Sequence, residues 1–69
     1  METLFIAYKN GTSDLFNSKQ LDCSNLTIRG HASRLVDAWA KGHKGVFEID
    51  RYNAVQMDDI KSIAVRTVN

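Results

Sequence analysis

The sequence predicts a small α+β domain, an antiparallel sheet crossed by one amphipathic helix in the order ββ(β)αβββ. Three observations carry that prediction. Strand-like runs cluster before and after a single helical stretch instead of alternating with helices, which argues against a parallel βαβ sheet. An Asn10-Gly11 pair separates two runs rich in aromatic and aliphatic residues. Ala32, Leu35, Val36, Trp39 and Ala40 recur at i, i+3, i+4, i+7 and i+8, the spacing of one helical face.

The elements follow in order. Leu4–Tyr8 is β-branched and aromatic, and Ser13–Phe16 is its return strand. Asn-Gly favours a two-residue type I′ turn, which places Ile6 opposite Leu15 and Phe5 opposite Phe16. Each face of this hairpin then carries an apolar pair and calls for cover on both sides. Residues 17–25 are polar and aperiodic, and read as a loop. Leu26-Thr27-Ile28-Arg29 is assigned as a short strand, with Gly30 as punctuation. The helix is expected over about 31–41, with Lys41 in the last turn and Gly42 as its left-handed stop. Three further strands are expected over 45–50, 54–57 and 62–68, separated by a turn at 51–53 and a polar corner at 58–61.

Composition sets the scale. The 69 residues, 43% of them hydrophobic, are read as one domain over 1–69, since typical domains run to about 100–150 residues. Apolar content this high with a net charge of +1 favours folding over disorder. A core this small rarely supplies more than about 3–5 kcal/mol. Without a disulfide partner for the single cysteine, Cys23, self-association is expected, and a two-fold homodimer is the commonest form. The start Met1-Glu2-Thr3 lacks the basic region and long apolar stretch of a signal peptide, and no run approaches a membrane span. The expectation is a cytoplasmic protein that does not enter a membrane.

Chemistry-bearing residues are sparse. Cys23 with His31 or His43 has no surrounding nucleophile motif and no third group to orient a histidine, so no catalytic residue is assigned. Two histidines twelve positions apart, one cysteine and scattered carboxylates match no zinc spacing, and Asp58-Asp59 reads as turn chemistry, so neither metal nor cofactor is expected. Gly42-His43-Lys44-Gly45 follows a helix, whereas phosphate cradles precede one. Balanced charge argues against a domain that coats nucleic acid by bulk charge and leaves room for a local basic patch.

Three readings of function remain. The first is a non-enzymatic protein-binding module, an inhibitor or adaptor acting through a sheet edge or helix face, with Tyr8, Tyr52 and Arg51 as contact residues beside turns. Its size without catalytic motifs is shared with accessory proteins of phages and mobile elements, an analogy of scale alone. The second is a nucleic-acid-binding regulator. The third is an oligomer that sequesters an anionic small ligand between subunits. Both alternatives draw on Arg29, Arg34, Lys41, His43 and Lys44.

Overall fold

The computed structural model describes residues 1–67. It has the α+β architecture the sequence predicts, in the order β1 (Glu2–Tyr8), β2 (Ser13–Phe16), α1 (Ile28–Ala40), β3 (Val46–Glu48), β4 (Ala54–Gln56), a 3₁₀ turn (Met57–Asp59) and β5 (Ile60–Thr67). The strands do not join a single sheet. β2, β1 and β5 form one antiparallel sheet with β1 in the centre, and β3 pairs only with β4.

The hairpin register differs from the expected one by a residue. Leu4 faces Phe16, Phe5 faces Leu15 and Ile6 faces Asp14. The loop has three residues, closed by Tyr8 N–H donating to Thr12 O (2.9 Å) and Gly11 N–H to Tyr8 O (3.1 Å). A type I′ turn needs positive φ at Asn10 as well, but only Gly11 adopts it, at +89°. Asn10 instead turns its side-chain oxygen onto Thr12, accepting from the backbone N–H (3.0 Å) and the hydroxyl (2.6 Å). Because side chains alternate with period two, the shift decides which of them share a face. Leu4 and Ile6 are fully buried beneath α1, whereas Phe5 and the half-exposed Leu15 lie together on the outer face.

The helix begins three residues earlier than periodicity indicates, and Leu26-Thr27-Ile28-Arg29 is not a strand. Thr27 caps the helix, its hydroxyl accepting from Gly30 N–H (3.0 Å). Ile28 enters the core and Gly30 lies within the first turn. The buried face is therefore Ile28, His31, Ala32 and Leu35, with Trp39 half-buried beyond them, while Val36 and Ala40 are exposed. At the other end Gly42, at φ +81°, closes a Schellman motif: its N–H donates to Trp39 O (3.1 Å) and His43 N–H to Ala38 O (3.0 Å).

The C-terminal strands also shift. β3 is shorter than 45–50, and Met57 belongs to the 3₁₀ turn. β5 starts at Ile60, within the expected polar corner; Val68, the expected strand end, lies outside the described residues. Asp58 does not serve its own turn as expected but accepts from Gly45 N–H (3.2 Å), bridging to the segment before β3. Met57 N–H donating to Gly45 O (2.8 Å) extends the β3–β4 ribbon by one rung, and Lys9 N–H donating to Asp59 O (2.8 Å) ties the 3₁₀ turn that follows it to the end of β1. The core forms where α1 lies across β1 and β5, with Leu21, Ile49, Val55, Met57 and Ile60 closing its rim.

Candidate interaction surfaces

Two regions stand out once the fold is assembled: an open strand edge beside a groove, and a polar crevice under the helix.

β5 is the longest strand, eight residues, and its outer edge has no strand beside it among the described residues. Which backbone groups point outward follows from the hairpin. Tyr8 N–H points to β2, so Leu4 and Ile6 do as well, and Thr3, Phe5 and Ala7 point to β5. Their partners Arg66, Ala64 and Ser62 therefore bond inward, and the free edge is made by the N–H and C=O groups of Ile63, Val65 and Thr67. On the helix side, Ile63 and Val65 are half-buried against the core. Beside them runs a groove between α1 and β5 lined by Ala32, Ser33, Val36, Ala40 and Val65 together with Arg29 and Asp37. Arg29 is ion-paired with Glu2, and Asp37 with Lys41 (3.0 Å).

The crevice, about 380 Å³, lies between α1, the 22–26 loop and the 48–51 segment. Asp50 organises it. One carboxylate oxygen accepts from Asp22 N–H (2.7 Å), and the other accepts from the N–H groups of Tyr52 (2.9 Å) and Asn53 (2.8 Å) and from the Asn53 amide (2.9 Å). Burial pushes the Asp50 carboxyl up, but these donors outweigh it and hold it below the usual carboxylate range. Asp22 is likewise held low, first by the Ser24 hydroxyl and then by its backbone N–H. His31 is 3% exposed; its Nε2 lies 2.6 Å from Asp22 O, which only accepts, so Nε2 carries the proton. Its Nδ1 is buried with no partner among the described residues. With Arg34 donating to Ile49 O (3.0 Å), these polar groups are occupied in fastening the 22–26 and 48–53 segments to the helix.

The residues chosen from sequence as protein contacts stand on separate turns. Tyr8 is half-buried beside the base of the β3–β4 ribbon, its hydroxyl donating to Asp14 (2.6 Å); burial, then that bond, pushes the phenol well up. Tyr52 is at the ribbon's tip, 79% exposed, with the Arg51 guanidinium 6.0 Å from its ring centre. The cations divide among different partners. Arg29 serves Glu2, Lys41 serves Asp37, and Arg34 lies 5.5 Å from the centre of the Phe47 ring, which His43 meets edge-on at 5.9 Å. Lys44 is exposed in a shallow hollow that also takes in Lys9, His43 and Asp58. Asp50 and the open edge of β5 were not singled out from sequence. Asp50-Arg51-Tyr52-Asn53 does carry the signal of an aspartate bonding to backbone two and three residues on.

Among the described residues no group of three or more histidine, cysteine or carboxylate side chains converges as a metal site, and no helix is long and apolar enough to cross a membrane. No protein-family model, curated protein or solved structure matches the chain.

Proposed function

We propose that this chain is a non-catalytic protein-binding module whose working surface is the outer edge of β5 and the groove beside it. The observation that carries the reading is an eight-residue strand with an open edge among the described residues, flanked by exposed Val36 and Ala40. An open edge offers a row of unused donors and acceptors, and an incoming strand gains affinity from the backbone and specificity from alternate side chains. Natural edges are commonly blunted by proline, short length or inward-pointing charge. The chain has no proline, the helix-facing Ile63 and Val65 are apolar, and the one register shift, at Lys61, confines any bulge to the start of β5 and leaves 62–67 regular.

The test removes one outward donor without altering a side chain. A 69-residue chain is within reach of chemical synthesis, and N-methylation of Val65 blocks the edge while leaving the bonds to β1 in place. Immobilised unmodified protein is expected to retain a stoichiometric protein partner at moderate salt, and the N-methyl form to lose it. Equal retention by both forms would move the binding surface elsewhere. Retention of nucleic acid that vanishes with added salt would favour the regulator reading instead.

A further inference from the structure

We infer that the strand received by this edge is β5 of a second copy, in an antiparallel register centred on Ala64; this rests on the edge reading above and names its occupant.

Parity restricts the choices first. A two-fold axis that pairs β5 with itself stands perpendicular to the sheet, and opposite residues then share a face. Only registers centred on a residue satisfy this. Centring on Ala64 sets Ile63 opposite Val65 of the second copy twice, both on the helix side and both with outward-pointing backbone groups. These pairs exchange backbone hydrogen bonds, and the register shift at Lys61 lies outside them. At the axis, Ala64 meets its own copy as a non-hydrogen-bonded pair, where Cα atoms approach to about 4.5 Å. The small side chain required there is present. On the outer face Ser62 comes opposite Arg66, so the two cations of the strand, Lys61 and Arg66, are never paired. Centring on Ile63 would instead set Lys61 against Val65.

The helix supplies an independent argument for a second copy over an unrelated strand. α1 packs against β1 and β5 rather than the other strands, and a helix seated over that pair has its axis near their midline. Strands sit about 4.8 Å apart, which places the two-fold about 2.4 Å beyond β5 and the helix axis about 4.8 Å from the two-fold. The two helix axes are then about 9.6 Å apart, within the 8–10 Å of packed helices. The side of α1 turned toward the edge carries Ala32, Ser33, Val36 and Ala40, residues small enough for that approach. α1 runs antiparallel to β5: Arg29 meets Glu2, the partner of Thr67, and the hollow at the other end holds Trp39, Gly42 and Ile60 together. An axis through Ala64 therefore passes the middle of α1 near Ser33. It turns Arg29 of each copy toward Asp37 of the other. The groove is one half of a helix–helix contact that its own copy completes.

Site-directed disulfide formation tests the register. In a Cys23→Ser background, Ala64→Cys is expected to cross-link to itself on mild oxidation, since the separation at the axis falls in the range a disulfide spans. Ser62→Cys alone is expected to stay uncross-linked, while a mixture of Ser62→Cys and Arg66→Cys proteins cross-links. Sedimentation of the unaltered chain at tens of micromolar is expected to show a dimer, and the N-methyl-Val65 form a monomer. A monomer across this range, or a dimer in which Ala64→Cys fails to cross-link, overturns the inference. If the chain is a monomer but N-methylation of Val65 still abolishes capture of another protein, self-pairing falls and the edge reading survives. If N-methylation alters neither assembly nor capture, both fall.

Discussion

Replacing Asp50 with asparagine removes little volume and one charge, which makes it a close test of what holds the crevice together. Asp50 accepts four hydrogen bonds, one on one oxygen and three on the other. Asparagine oriented to keep the three must turn its NH2 toward the Asp22 N–H, donor against donor. A hydrogen bond to a charged group is worth about 1.5–3 kcal/mol net. The site is only half-buried, so water relieves part of the loss, and the expected cost of Asp50→Asn is about 2 kcal/mol. In a domain this small each kcal/mol moves the midpoint by about 4–8 °C, so Tm should fall by about 8–16 °C. Trp39, the single tryptophan, half-buried against the core, reports unfolding by fluorescence in urea or on heating. The pH dependence gives a second check. The carboxyl is held below its ordinary value of 3.8 in the folded chain, so its contribution is fully present above about pH 4–5 and lost as pH falls through the folded value. The variant has no such group, and the stability gap between the two proteins should close in acid. A gap under about 0.5 kcal/mol at pH 7, the range of inert surface changes, would refute the reasoning. So would a gap that stays constant down to about pH 3.

Four further substitutions, at three positions, test the helix and its seat. Thr27→Ala removes the acceptor for Gly30 N–H and should cost about 1 kcal/mol in urea unfolding. Gly42→Ala forces a side chain into the left-handed conformation of the helix stop and should cost about 1–2 kcal/mol by the same assay. His31→Leu gives up the bond to Asp22 O but also removes the unpartnered Nδ1, so it should lie within about 1 kcal/mol of the parent. His31→Ala leaves a cavity and should lose about 2–4 kcal/mol.

The sequence revealed the class of fold because its strongest signals were periodic. The 3.6-residue recurrence of Ala32, Leu35 and Trp39 survives in the structure, and so does the alternation of Ile63 and Val65 in β5. Expectation and structure part where one local pattern serves two geometries. Leu26-Thr27-Ile28-Arg29 is β-branched enough for a strand, yet Thr27 is a cap and Ile28 the first core residue of α1. A glutamate at Gly30 would have completed a capping box and marked the start; the glycine there looked like a break. Asn10-Gly11 suits both a two-residue and a three-residue loop, and the choice turned on the Asn10 side chain binding Thr12, which no pattern of hydrophobicity records. The open edge was hidden for a different reason. Which strand lies outermost depends on β5 crossing to pair with β1 rather than β4, a long-range choice with no local signature.

That crossing also fixes when the chain can fold. Among the described residues the central strand precedes every other element and one of its two neighbours follows them all, with Glu2 beside Thr67. The helix and the β3–β4 ribbon need only local contacts. Closing the main sheet requires joining positions more than sixty residues apart, which raises contact order and slows folding relative to a helical domain of the same size. During translation the sheet therefore stays incomplete until residue 67 is free of the ribosome, and a chain shortened within β5 loses the strand that completes the core. The same adjacency makes the domain a natural subject for circular permutation. A short linker from β5 to β1, with new termini opened in the Lys9–Gly11 loop, leaves each strand whole, makes the β1–β5 pairing local and hands the long-range closure to β1 and β2 instead.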